Sequence, residues 1–312
     1  MQLPEKDTTH VLEAIAPEYL VSDQRREVLL AKNPAWNAPI ADSVARHTMH
    51  FVVRVLQSWP RMMATHDTRH LPPIIHRLQL AKGMPGPLAN CYTLAKMWIG
   101  HTPGSRDLVQ RTIQDEVRRL LREYSSYDAP DLLAAAQSLL ILLIILLFGF
   151  GNSAALAHPV DAQLLIDMWD VKQALAMTGL FLEQESNHTL PRWRDWAMVS
   201  AKRRTILALH HLEWAWSLRH GYPILTCLEL GPLPAPAARY LWEEGDERSW
   251  EHQYNEWLRL WRGGSYRMEE FFQLNAGDSA NPLDERSEMW LADADGFGVM
   301  LMAEGIAPRN LQ

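Results

Sequence analysis

The alternation of apolar and polar positions along the chain is helical almost throughout. It centres on Asp131 to Phe148, DLLAAAQSLLILLIILLF, in which ten consecutive residues from Leu139 to Phe148 are aliphatic or aromatic. A helix that is apolar on every side has to be surrounded, either by lipid or by its own protein. Asp128 and Pro130 are helix-start residues, Ala, Leu and Gln favour the helix itself, and Gly149, Gly151 and Asn152 supply a stop. A membrane span needs roughly 20 mostly apolar residues, which this stretch approaches only by including Gln137 and Ser138. Acids precede it and no Lys or Arg follows until Lys172, so no basic cluster fixes an orientation. The expectation is a large all-α, multi-helix domain packed around a central buried apolar helix at about 131–148, with no membrane contact.

The flanking pattern supplies the helices that would do the surrounding. In the first forty residues one amphipathic segment, Val21 to Ala31, is followed by a Pro and Trp turn at Asn33 to Pro39. From Ile40 to Met63, the apolar Val44, Phe51, Val52, Val55, Leu56 and Trp59 fall three and four apart, a helix face whose end Pro60 should interrupt. HLPPIIHRLQ, His70 to Gln79, cannot run as a helix through Pro72 and Pro73 and reads as an ordered crossing. Helices are predicted over Leu88 to Gly100 and Ser105 to Tyr124. The second carries Arg111, Arg118, Arg119 and Arg122 on a solvated, salt-bridged face beside Asp115, Glu116 and Glu123. After the central helix come Asp161 to Glu185, Trp193 to Arg219, a proline-rich crossing at Glu229 to Pro236, and shorter helices over Ala237 to Trp242 and Ser249 to Arg262. Beyond Gln273, NAGDSANPLDERSE lacks periodicity, which predicts a mobile segment ahead of a last apolar patch, Met289 to Glu304. The organisation expected is an N-terminal arm over 1–42, a helical domain over 43–272 and a partly mobile extension over 273–312.

Composition narrows the function classes. The 312 residues are 47% hydrophobic and 21% charged, enough for a sizeable core. Thirty Lys and Arg against 37 Asp and Glu give a net charge of -7, which offers no bulk attraction for a phosphate backbone. Two cysteines, Cys91 and Cys227, are too few for a disulfide framework and too far apart for a local metal knuckle. The start, MQLPEKDTTH, is acidic and lacks an apolar run, so it does not read as a secretory signal; an intracellular protein is expected.

No GxSxG, GxGxxG, P-loop or HExxH pattern is present. The His47 and His50 pair and the His66 and His70 pair have one-turn spacings, yet each would have to import a third ligand, so surface or capping roles are the default. Asp167 and Asp170, in DMWD, are spaced to hold magnesium, but a second acidic cluster is needed and only Asp115 and Glu116 come near. His210, His211 and Glu213 share a Trp-rich segment in which no nucleophile is evident. Lys202, Arg203 and Arg204 beside Trp193 and Trp196 suit phosphate or base stacking, or else a surface or intramolecular ion-pair cluster. Trp214, Trp216, Trp242, Trp250, Trp257 and Trp261 are expected in helix packing. No catalytic, cofactor, metal or DNA-binding residue is assigned.

The order of certain segments carries a resemblance. SWPRMM (Ser58 to Met63), LPPIIHRLQ (Leu71 to Gln79), PLANCYTLAKMW (Pro87 to Trp98), the helix Gln110 to Tyr124, and YDAPDLLAAAQSLLILLIILLF (Tyr127 to Phe148) come first. WRDWAMVSAKRRTILALHHLEWAW (Trp193 to Trp216) and LPAPAARYLWEEGDERSWEHQYNEWLRLW (Leu233 to Trp261) follow. Together they resemble the fungal-specific transcription factor domain, the helical regulatory region of fungal binuclear zinc-cluster regulators, over about Ser43 to Phe272. The resemblance implies a soluble helical domain with the apolar helix buried, location in the nucleus, and a role in transcription regulation, especially of secondary-metabolite gene clusters. It implies as partner a DNA-binding regulator or other transcription protein, or a second copy in a homodimer. Such regulators read DNA through six clustered cysteines, which two cannot supply, so direct DNA binding is not expected of this chain alone. Val199 stands where the family often has an acid ahead of the Ser and basic pair. The alternatives are a pathway enzyme on the same helical scaffold and a chain whose zinc module is encoded upstream.

Overall fold

The computed structural model describes residues 43–65, 70–151, 159–220, 230–274 and 283–305. These residues form an all-α structure with no strand among them, only two isolated bridges, Ala81 with Gly83 and Pro234 with Arg267. The amphipathic segment at 21–31, the turn at 33–39, His66 and Cys227 lie outside the described residues.

The centre is α4, Ala129–Ile144, entered through α1 (Ser43–Thr65), α2 (Gly86–Ile99) and α3 (Arg106–Glu123). It starts as its sequence directs: the Asp128 carboxylate accepts the Asp131 N–H at 2.9 Å, with Pro130 in the first turn. Every residue from Leu132 to Ile144 is buried, against α1, α2, α3, α5 (Pro159–Met177) and α7 (Trp193–His220). The stretch Ala129–Gly149 is long and apolar enough to cross a membrane, but 83% of its apolar window is buried inside the protein. Each Leu or Ile so covered contributes about 1.5–3 kcal/mol relative to exposure.

Its end differs from a simple glycine stop. Residues Ile145–Gly149 form a wider π turn, whose Phe148 carbonyl accepts the Gln57 side-chain amide of α1 at 2.6 Å. Close approach favours glycine at 149, because a Cβ there would lie 3.0 Å from the Trp98 ring and would push it aside by a few tenths of an ångström. The positive φ that glycine tolerates is at Gly151, +62°.

Pro60 does not interrupt α1, which runs on to Thr65 with Pro60 itself buried. The expected Asp161 to Glu185 helix divides into α5 and the short α6, Glu183–Ser186, separated by Gly179 at φ +96°. The remaining helices are α8 (Arg239–Glu243), α9 (Glu247–Leu260), α10 (Met268–Leu274), α11 (Glu285–Asp293) and α12 (Gly296–Gly305). Of the stretch read as aperiodic, residues Glu285 to Glu288 already belong to α11. There Asp284 is the N-cap, accepting from the N–H groups of Arg286 and Ser287 at 3.0 Å each. A cap is a local signal that apolar periodicity does not register. Trp290 then packs on Tyr266 and donates to the Pro236 carbonyl at 3.0 Å, tying α11 to the proline-rich crossing.

Candidate functional site

α7 is buried on nearly every side, charges included: Lys202, Arg203, Arg204, His210, His211 and Glu213 are all inside. Among phosphate or base stacking, a surface cluster and an intramolecular cluster, the buried basic trio fits the last. Lys202 Nζ donates to the Thr178 carbonyl at 2.9 Å, just past the C-terminus of α5, where a cation is favoured. Burial lowers its pKa. Arg203 grips Glu185 of α6 with both guanidinium ends, one at 3.0 Å, and donates through Nε to the Leu180 carbonyl at 2.7 Å. Arg204 donates through Nη1 to Asp295 at 2.6 Å and to the Pro73 carbonyl at 3.3 Å. Its guanidinium carbon lies 4.1 Å from the Trp242 ring centroid and 5.1 Å from that of Phe297.

The LPPIIHRLQ crossing is pinned to the central helix and to Trp242. Gln137 of α4 donates to the Ile74 carbonyl at 2.6 Å and exchanges amide bonds with Gln79. His76 caps the single 3-10 turn Arg77–Gln79. Its Nδ1 accepts the Leu78 N–H at 3.2 Å, while Gln79 Oε1 accepts the His76 N–H at 2.9 Å. That acceptor role places the ring hydrogen on Nε2, which has no aligned partner; the imidazole edge meets Trp242 at 4.8 Å. Burial first, then the Arg77 and Arg204 charges, lower the His76 pKa to about 3, against a small opposing effect of the Trp242 carbonyl. The ring is neutral at pH 7.

Above this floor opens a cleft of about 690 Å³. One wall is α1, with Phe51, Val55, Trp59 and Met62; the opposite wall is α12, with Phe297 and Val299. The crossing adds Leu71, Ile75 and His76 and the rim carries His70, Arg77 and Glu243, while Asp295 sits inside. Its size and mainly apolar wall with few polar groups match a small-molecule site. A second hollow beside Arg203, Arg204 and Tyr254 has about 40 Å³, room only for water-sized groups.

The structure does not bring the other sequence candidates into the cleft, His70 excepted. His47 is exposed, its Nδ1 2.6 Å from the Ser43 carbonyl, and His50 is exposed on the same helix. Asp167 accepts from Gln163 at 2.7 Å. Asp115 pairs with Arg118 and Glu116 with Arg119. Glu213 accepts the Trp169 indole N–H at 2.9 Å, and His211 meets the Leu207 carbonyl at 2.9 Å, so both are held in packing. Among the described residues no group of three His, Cys, Asp or Glu is placed to hold a metal. Cys91 is buried, and burial raises its thiol pKa. Sequence reasoning gave no role to Asp295, Glu185 or Phe297, and none to His76 despite its HRLQ capping pattern.

No family model matches the chain, and neither a curated protein nor a solved structure matches it.

Proposed function

We propose that this chain is a transcription-regulator-like protein of the fungal-specific transcription factor domain type, acting in the nucleus through contacts with other proteins. Its role is to influence transcription of a secondary-metabolite gene cluster beside a DNA-binding regulator. One observation carries the reading. The segments that bear the resemblance, scattered over about Ser43 to Phe272, all contribute side chains to a single core: Trp59, Ile74, Leu88, Val117, Leu139, Trp196 and Trp250 belong to one connected cluster. Segments alike only by chance need not converge on one core, whereas segments that specify one domain must.

The chemistry of the interior supports a binding role. Of the buried charges on α7, Arg203 and Arg204 are paired with Glu185 and Asp295, Lys202 donates to the end of α5 and Glu213 accepts from Trp169, while the open cleft is lined mainly by apolar side chains. Deleting the gene and measuring transcripts of neighbouring biosynthetic genes tests the proposal. Transcripts changed severalfold are expected, and levels equal to the parent strain would overturn it. Purified chain mixed with the cluster's DNA-binding regulator should form a complex on size-exclusion chromatography.

A further inference from the structure

The cleft between α1 and α12 has features that a mere surface dip does not need. Phe51 is 46% exposed and Val299 47% exposed, and these two large apolar side chains, on different helices, line the same hollow. Trp59 and Phe297 meet beneath them with ring centroids 6.1 Å apart. Leaving such surface wet is unfavourable, and contiguous exposed apolar area of this kind marks a binding site.

The charges in and under the cleft cancel. Arg204 neutralises Asp295 at the floor, and Arg77 and Glu243 stand with opposite signs at the rim. A charged guest would bring a charge the site does not balance, at a large desolvation penalty. Asp295 nevertheless keeps acceptor capacity. A carboxylate can take about four hydrogen bonds. Among the described residues, Asp295 receives one from Arg204 Nη1 at 2.6 Å and one from the Gly298 N–H at 2.9 Å.

We infer that the cleft binds one neutral, flat, largely aromatic small molecule bearing a hydroxyl donor, seated between α1 and α12 over the buried Trp59 and Phe297 pair with its hydroxyl on Asp295. Phe51 and Val299 close over its faces. The inference stands on the cleft alone and does not need the transcriptional reading, so a failed transcript experiment leaves it intact and the reverse also holds.

The test is isothermal titration calorimetry of the full chain with three probes: 1-hydroxypyrene, pyrene and pyrene-1-carboxylate. One-to-one binding of 1-hydroxypyrene is expected, weakened about threefold or more without the hydroxyl and about tenfold or more for the carboxylate. Val299→Trp fills the cleft from an exposed position and should weaken 1-hydroxypyrene binding about tenfold while leaving the melting temperature unchanged. Leu260→Trp, at a 65% exposed site on α9 away from the cleft, should bind as the parent does. Should Val299→Trp fold poorly, Phe51→Ala, which shortens an exposed wall residue, supplies the same readout. No saturable heat with 1-hydroxypyrene, equal affinity for the carboxylate or for pyrene, or undiminished binding by the folded cleft variants would overturn the inference.

Discussion

Two helices in this protein are buried almost completely, and they reach that state by opposite chemistry. α4 hides Leu132 to Ile144, mostly hydrocarbon, and needs little from its neighbours beyond close packing. α7 hides 24 of its 28 residues, among them Lys202, Arg203, Arg204 and Glu213, and each of these needs a partner supplied from elsewhere in the chain. The first kind of burial tolerates errors of shape to a degree set by cavity size. The second tolerates no missing partner, because the charge left behind stays buried and unpaired. Stability resides in both helices, but specificity of arrangement is concentrated in α7, whose ion pairs reach α6 and the residue before α12 and whose Arg204 also donates to the Pro73 carbonyl of the LPPIIHRLQ crossing.

The sharpest way to break that comparison is Asp295→Ala. It strands Arg204, which is 1% exposed, and should reduce the unfolding free energy by about 3–5 kcal/mol in urea titrations. The double variant Arg204→Met, Asp295→Leu should recover most of that loss, since it removes both charges together. Leu140→Ala in α4 should remove about 2–5 kcal/mol, and no second substitution at a distance should restore it. If the Asp295 variant proved milder than a surface substitution, the claim that α7 depends on its partners would fail.

Acid should act on α7 and the crossing packed beneath it and leave α4, which holds no titratable histidine, untouched. His76 and His220 have pKa values lowered by burial to about 3 and about 4. Their unfolded forms take up protons near pH 6.5 while the folded forms do not, so the unfolded state binds more protons below that pH and stability falls as pH falls. The loss begins below about pH 6.5, grows by up to about 1.4 kcal/mol per unit for each histidine, and levels off as pH passes the folded values. His76→Asn keeps an acceptor for the Leu78 N–H and should flatten this slope in melting experiments between pH 6.5 and 4. The smallest effect is expected at Arg118→Ala on α3, whose pair with Asp115 is exposed; about 0–1 kcal/mol is at stake.

Particular residues show how much of this was legible beforehand. The helix start at Asp128, the inward Val109, Ile113, Val117 and Leu120 of α3 and the packing role of the tryptophans follow from local spacing, and the structure has them so, whereas Leu108, which the same spacing turns inward, is exposed. Pro60 and the Asp284 cap were misread. A buried proline can be carried by the packing around its helix, and a cap leaves no mark in apolar periodicity. The cleft was not legible at all. Its walls come from Phe51, Ile75, Trp242 and Val299, which no spacing rule connects.

The sequence by itself determined the all-α class, the central buried helix and the surface of α3, because helical periodicity and capping are local properties written within a few turns. Only the tertiary structure decided what Arg203 and Arg204 pair with, how closely Trp98 approaches residue 149, and where a hollow remains. Arg204 and Asp295 lie 91 positions apart. The energy that joins such a pair depends on distance and burial in the folded chain, and neither quantity exists until the helices have packed.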